Sequence, residues 1–528
     1  MKKNIVFLFL LSLTFSSCED FLNLEPSDSL VPENFYTNAA EVDKALNGVY
    51  QVLVLKGGAE FILNAEVMTD NCVYSSASGS EWLDFSRGTL NASTAYVEKK
   101  WKDNYKGIIR ANMVLDNLYN RTEMIITEVN KTRFLGEAHF LRAYFYTDLL
   151  LNYGGVPLID RPYDNITDYS LPRATADSTL KFILNDLNIA IEKLEPKPII
   201  NGKGKATKGA ALFLKARIFL FTGNYKEANK TINVLNGLNE YSLMTSFADI
   251  FDPAKENNAE VIFDIQYADP NRTNTSYTFY EYIKNWTGGY VPTTSLAQDF
   301  YDLRGLKVDP ERTTFAKFFT NRDKRMIVTL TRPGDSYGGT IYTPKASDKK
   351  SYNSCLKVRK YLVLTDVTNT GKRSALNIIV FRFADAKLMQ AESIIEDDSL
   401  YSVETEKRKA IKLIDDVRMR AGLPNIENII ATPSRDDLRE ILRRERRVEL
   451  AFENSRLYDI RRWRIAEEVM NENEGKALGY DPESYESAVY ATYPVESNRK
   501  FYLRNYLWPI PQSEIDANTS IKENNPGY

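Results

Sequence analysis

TKGAALFLKARIFLFTGNYKEANKTINVL, residues 207–235, is the stretch whose reading decides the fold. Ala210, Leu214, Ala216, Phe219 and Leu220 fall along Thr207 to Thr222 with helical spacing. Gly223-Asn224-Tyr225 interrupts the run as a turn, and Lys226 to Leu235 resumes it with Ala228 on the contact side. Small alanines let two helices approach closely, so the stretch predicts a helical hairpin. One hairpin cannot bury its own apolar face and needs stacked neighbours. The expected fold is therefore mostly α.

The glycine turn and the Tyr and Ala after it resemble half of a tetratricopeptide repeat. No strict period runs through the whole chain, so the expectation is a scaffold of degenerate helical hairpins. Working outward, further helices are predicted from Ala39 onward, over Val97 to Leu118, and over Thr132 to Tyr153, which stops at Gly154-Gly155 with Pro157 beyond. On the C-terminal side they are predicted at Phe383 to Ile395, Thr405 to Ala421 and Arg435 to Trp463. Between about Asp249 and Arg373 the helical period fades. Glu260 to Tyr267 alternates like a strand, and Met326 to Thr331 and Leu356 to Leu364 are further strand candidates. This region reads as an irregular, loop-rich insertion with short strands, and loops on a rigid frame are where binding residues tend to lie. The tail from Tyr506 to Asn518 reads as a proline-stiffened strap rather than a helix.

The chain begins with a different kind of signal. Met1-Lys2-Lys3, the apolar run Ile5 to Leu13, and Phe15-Ser16-Ser17-Cys18 form the three parts of an export leader, with an apolar core too short to span a bilayer. A cysteine directly after small residues resembles a lipobox, although Phe15 stands where an aliphatic residue is usual. Cys18 is then the expected lipidation site and mature N-terminus, on two or three acyl chains, since one binds membranes only marginally. The remaining cysteines, Cys72 and Cys355, leave both a disulfide and two free thiols open. The formal charge of −3 becomes about −5 once Lys2 and Lys3 leave with the leader, a balance that does not suggest nucleic acid. His139 is the single histidine, so any Ser-His-Asp triad would have to use it. Its setting, Gly136-Glu-Ala-His-Phe-Leu-Arg-Ala-Tyr144, reads instead as a packed helix. Interleaved glutamates make the arginines between Arg439 and Arg447 a structural charge network, with pairs three or four residues apart along the helix, rather than a phosphate site.

Several segments together resemble one family, the SusD-like or RagB-like outer-membrane nutrient-uptake lipoproteins of Bacteroidetes. They are Cys18-Glu-Asp-Phe-Leu-Asn-Leu-Glu-Pro26, Gly136 to Tyr146, Tyr153-Gly-Gly-Val-Pro157, Ala206 to Leu212, Phe383 to Glu392, Arg443 to Glu453 and Leu507-Trp-Pro-Ile-Pro511. The resemblance implies four tetratricopeptide-like helix pairs cradling a more variable half. It also implies a lipid-anchored protein of the cell outer membrane, facing the exterior, that caps a SusC-like TonB-dependent transporter and delivers bound glycan to it. Glu19-Asp20 is similar to the surface-export signal of such lipoproteins. The expected organisation is a signal peptide over 1–17, a lipidated arm over 18–38, a helical region over 39–248, a variable ligand-facing region over 249–373 and a helical region with the strap over 374–528.

Sugar recognition needs aromatic planes with polar groups beside them. The 32 tyrosines, more than the 26 phenylalanines, suit such ligands. Asp70 to Arg87 and Tyr280 to Tyr290 combine aromatics with loop residues, and in the family the resemblance names these regions also face the ligand. Trp82, Trp286, Tyr290 and Tyr74 are the candidates for stacking, and Asp70, Asn71 and Arg87 the polar ones. Trp101, Trp463 and Trp508 lie in helical or strap patterns and read as structural. No catalytic residue is assigned, no EF-hand-like spacing marks a calcium loop, and no cofactor is indicated. A surface glycoside hydrolase with two carboxylates across a sugar, a repeat scaffold holding a partner protein, and a peptide-binding uptake protein remain open alternatives.

Overall fold

A computed structural model describes residues 35–55, 64–75, 81–196, 204–268, 289–309, 313–337, 340–342, 356–362, 375–470, 477–478, 492–493 and 498–528. The leader, Cys18, Trp286 and Cys355 lie outside the described residues.

The N-terminal half is built from helices α1 (Ala39–Leu55), α2 (Ala95–Asn120), α3 (Glu128–Tyr153), α4 (Ala176–Lys193), α5 (Lys208–Phe221) and α6 (Tyr225–Gly237). Consecutive helices from α2 to α4 pack on each other, as do α5 and α6, which are the hairpin of the opening stretch. Threonine hydroxyls cap three of the starts: Thr127 accepts from the Asn130 amide, Thr175 from Ser178 and Thr207 from Ala210. Helix α3 stops at Gly154, whose φ of 76° needs a residue without Cβ. Helices α2 and α3 approach closely at Gly107, where an added Cβ would collide with the Phe145 ring. Helix α4 adds to the sequence expectation; it buries only a narrow face of Thr179, Ile183, Asp186, Leu187 and Ala190.

His139 sits inside this half as a structural group. Its Nδ1 is 2.7 Å from Asp186 Oδ1 and its Nε2 is 2.9 Å from the Tyr119 hydroxyl. Arg142 donates to both oxygens of the same Asp186. Both ring nitrogens are therefore occupied by partners that tie α2, α3 and α4 together.

The C-terminal half adds α7 (Phe383–Glu396), α8 (Glu404–Arg420), α9 (Arg435–Leu450) and α10 (Arg456–Arg462). A single helix from Arg435 to Trp463 was expected, and the structure breaks it between α9 and α10. Phe452 and Asn454 take left-handed φ values of 61° and 57° there. The break frees the Phe452 amide to donate to Glu66 Oε1 at 3.0 Å, far away in sequence.

Among the described residues ten short strands pair two by two, and six of them, in three of the five pairs, are β1 (Cys72–Ser75), β2 (Val261–Ile265), β3 (Gly289–Pro292), β4 (Leu330–Thr331), β5 (Lys357–Val358) and β6 (Ile378–Arg382). The antiparallel pairs are β1 with β3, β2 with β6, and β4 with β5. The strand expected over Met326 to Thr331 is corrected: Met326–Thr329 is one helical turn, closed by the Thr329 amide on the Arg325 carbonyl, and only Leu330 and Thr331 are extended. In the insertion, arginine replaces missing regular structure. The buried Arg322 guanidinium donates to the carbonyls of Phe300, Phe318 and Ala297. Strand β6 docks the insertion on the helical half, with Phe381 stacked on Phe213 of α5 at 4.6 Å and 21°.

The expected charge network exists, but it runs between elements more than along α9. Glu449 accepts from Arg325, Arg382 and Arg420, which come from the 323–325 turn, the end of β6 and the end of α8. Arg382 also reaches Glu260 and Glu453, and Lys360 donates to Glu453 at 2.7 Å. Arg446 joins Asp385 of α7 to Asp459 of α10. Burial alone would raise the Glu449 carboxyl, but Arg420, Arg382 and Arg325 outweigh it and hold it well below the usual range.

The tail crosses back over the helical half. Trp508 is 2% exposed and its amide donates to the Asn152 carbonyl at 2.6 Å. The expectation of a strap without helix holds through Pro511; Gln512–Ala517 then forms a short helix, which proline can precede because its fixed φ suits a helix start. Trp101 is buried beside it and donates to Glu514.

Glu449→Ala leaves three buried guanidiniums without their shared acceptor and should destabilise the protein by about 3–5 kcal/mol. Glu404→Ala removes the exposed pair with Arg408 and should cost less than about 1 kcal/mol. Urea midpoints of the two variants measure the contrast, and equal midpoints would refute the ranking.

Candidate binding site

Antiparallel pairing of β1 with β3 joins the two sequence segments that carry the stacking candidates. Tyr74 stands directly across from Tyr290, with Val73 opposite Val291 and Cys72 opposite Pro292. The ring centroids of Tyr74 and Tyr290 are 5.4 Å apart at 70°, an edge-to-face pair. The two tyrosines have different surroundings. Tyr290 is buried and its hydroxyl donates to Asn64, so it backs the pair. Tyr74 is half-buried and keeps part of its ring accessible.

Trp82 begins the short helix Glu81–Ser86 and is half-buried. Its ring lies 6.0 Å from Phe85 and 4.5 Å from Tyr96, which in turn pack on Trp508. One side of the indole is therefore fixed to the helical half. Arg87, also half-buried, follows immediately at the end of this helix. The structure brings Tyr74 together with Tyr290, and the short helix that carries Trp82 packs against β1 with Arg87 at its end.

Asp70 and Asn71 are placed differently from the expectation that they face a ligand. Both are buried. Arg456 donates to both Asp70 oxygens at 2.8 Å, and Arg447 is 2.9 Å from the same carboxylate. Burial raises the Asp70 carboxyl, but Arg447 and Arg456 outweigh it and hold it far below the usual carboxylate range. Asn71 donates to Glu66 at 2.7 Å and accepts from Arg447 Nε at 2.8 Å. These two residues position the turn into β1 from behind. Thr293 completes the clamp, its amide on the Asn71 carbonyl and its hydroxyl on that of Asp70.

Sequence reasoning missed this support. Arg447 is legible as a member of a charge network and Arg456 is not, and no pattern in the sequence names for either a partner nearly 400 residues away. Glu66 gave no signal at all. It is 1% exposed, and burial pushes its carboxyl up to about 7 against the pull of Asn71 and Lys360. Cys72 is a buried free thiol in β1, pushed well up by burial.

A second concavity of about 80 Å³ lies between α3, α5 and the β2–β6 pair. Its polar groups are already committed: Asp148 binds Lys100 at 3.0 Å, and Arg217 binds Asp385. Among the described residues no group of three or more His, Cys, Asp or Glu is placed to hold a metal ion. Nor is any described helix long and apolar enough to cross a membrane.

The "SusD family" model matches residues 259–528, and a second model, described as "Starch-binding associating with outer membrane", matches residues 20–220. SusD-like protein P38 of Formosa agariphila is 26% identical over 492 residues, covering 88% of this chain and 92% of the relative. A SusD-like protein of Bacteroides fragilis superposes with a TM-score of 0.79 at 25% identity, covering 94% of this chain and 98% of that one. A laminarin-binding SusD-like protein superposes with a TM-score of 0.71 at 23% identity, covering 93% of this chain and 100% of that one.

Glu66 yields a pH test. Its folded pKa of about 7 lies above the ordinary value of 4.5, so the folded state holds this proton more tightly than the unfolded state. Its contribution to stability is fully present below the ordinary value and is lost as pH rises through 7. Glu66→Gln removes the titration. Between pH 4.5 and 8 the stability of the wild type should fall relative to the variant by on the order of 3 kcal/mol. Parallel pH profiles of the two proteins would refute it.

Proposed function

The chain belongs to the SusD family, and on that premise we propose that it is a cell-surface lipoprotein that binds glycans and passes them to a TonB-dependent outer-membrane transporter as its lid. The observation that carries the glycan reading is the β1–β3 pairing. It fixes two aromatic segments side by side and leaves Tyr74 partly accessible, with the half-buried Trp82 on the adjoining segment. Flat aromatic faces suit the CH faces of sugar rings, and hydroxyl and guanidinium groups beside them suit sugar hydroxyls. Trp82, Tyr74 and Trp286 supply the stacking area in this reading, Tyr290 supports Tyr74, and Arg87 is the polar contact. Asp70 and Asn71 act only as positioning residues.

A family model described as starch-binding, and a structural neighbour described as laminarin-binding, support glycans as the ligand class. The outer-membrane association in the first description supports the location. The lipid anchor rests on the leader and Cys18, and the transporter partner on the family. In this reading the arm after Cys18 is a leash that lets the cap swing while it stays with its transporter.

Incubation of the purified protein with a glycan panel separates the readings. Retention of one glycan without products supports the binder, products indicate a hydrolase, and neither outcome favours a scaffold for a partner protein. For a retained glycan, Trp82→Ala with Trp286→Ala should weaken binding by tenfold or more in isothermal titration. An unchanged affinity in a folded double variant would remove the stacking assignment. Cys18→Ala should move the protein out of the membrane fraction with glycan affinity intact; loss of both would overturn the leash.

A further inference from the structure

A cleft of about 320 Å³ opens along one face of α9, from Asp436 to Arg447, between it, the segment from Asp299 to Lys307, and Ile465. Five arginines of α9 and α10 line it. Three of them are neutralised. Arg439 forks onto Glu396 and also reaches Asp436. Arg447 holds Asp299 and Asp70, and Arg456 holds Asp70. The chain thus pairs its buried cations here, as it does around Glu449.

Arg443 and Arg444 are the exceptions. Arg444 lies with its guanidinium carbon 3.6 Å from the centroid of the Tyr301 ring. Stacking engages the face of the guanidinium and leaves its edge of N–H donors open. No hydrogen bond or ion pair engages that edge among the described residues. Arg443 rests on Trp463 at 5.0 Å, and its buried Nε has no acceptor. Burial pushes its pKa below that of an ordinary arginine, while the charges of Glu392 and Glu396 oppose the shift. Lys307, exposed on the same lining, adds a third cation with no ion pair among the described residues. Glu440, one turn before both arginines, forms an ion pair with neither. The open edge of the Arg444 guanidinium, with Lys307 on the same lining, therefore offers donors to an anion that enters the cleft.

We propose that this cleft is a subsite for an anionic group of the glycan, a sugar carboxylate or sulfate ester. The inference rests on the glycan-binding reading and narrows its ligand class. Two adjacent guanidiniums, one held flat by stacking, match the bidentate geometry of such oxyanions. The cleft also adjoins the support of the aromatic surface. Arg447 and Arg456 line it, and both grip Asp70, which leads directly into β1 and Tyr74.

Titration calorimetry of the full chain tests this with two matched pairs: a galacturonate tetramer and its methyl ester, and a κ-carrageenan tetramer and its desulfated, neutral form. At least one acidic member should bind tenfold or more tightly than its neutral counterpart, and added salt should erode the difference. Arg443→Gln with Arg444→Gln should abolish the preference and leave neutral binding unchanged. Arg444→Lys, which keeps the charge and loses the fork, should retain only part of it, and thermal melts check that each variant folds. Absence of a preference in both pairs overturns the proposal, as does a preference that survives the double variant. Inorganic sulfate binding as tightly as the acidic sugars identifies a general anion site and overturns the glycan subsite. Retained binding of neutral glycans with no acidic preference defeats this inference alone. No binding of any glycan defeats the glycan reading with it.

Discussion

Glu449 is the hub that ties the irregular insertion to the C-terminal helices. Its carboxylate is fully buried and receives three guanidiniums from elements that share no local sequence. Taking such charges out of water is expensive, and the cost is recovered only when every partner is in place with good geometry. That makes the lattice selective more than strong. A misplaced β6, α8 or 323–325 turn would leave an uncompensated charge in the core, so the lattice penalises alternative packings of an insertion that has little regular structure of its own. The helices contribute apolar area, while the arginines specify how the irregular part is attached.

The same device extends to the candidate site. Arg447 and Arg456 fix Asp70, Arg447 and Glu66 fix Asn71, and Glu66 in turn accepts from the bend between α9 and α10. The chain break at Phe452 is thus part of the site's foundation, because an unbroken helix would keep that amide for itself. Tyr74 sits at the end of this chain of contacts. A binding surface loses less free energy on association when its side chains are already ordered, and here the ordering is enforced by buried charge instead of by a wide sheet.

The helical half was legible because its information is local. Apolar spacing, capping threonines and the Gly154 stop lie within a few residues of the structure they encode, and α2, α3, α5 and α6 follow the expectation within a turn. Helix α4 escaped because it buries so little of itself. The insertion was legible only as a change of character. Strand pairs such as β2 with β6 join residues more than 100 apart, and the extended look of Met326 to Thr331 gave way to a helical turn once Arg325 was drawn into the charge lattice. At the site, the two aromatic segments could be found by composition, but the direction each residue faces could not. Tyr74 and Tyr290 share one face of the β1–β3 pair, and only the packing around each, with Asn64 closing over the Tyr290 hydroxyl, leaves one half-buried and the other buried. Asp70 and Asn71 looked like ligand contacts because they are polar and near an aromatic; their partners in α9 and α10 turn them inward.

The arginines of α9 and α10 show how far a charge pattern can be read. Interleaved glutamates correctly announced a network, and the spacing along the helix suggested pairs within it. The real pairs mostly leave the helix, because a buried cation gains more from a carboxylate on a neighbouring element, where packing holds both, than from an exposed one on its own face. Once those long-range partners are subtracted, the residual is small and specific: Arg443 and Arg444 on their aromatic supports, beside the helix face that grips Asp70. A run of arginines that looks uniform in sequence is therefore divided by the fold into a structural majority and a pair left open at a cleft. That division, rather than the net charge of the chain, gives the surface its local chemical character.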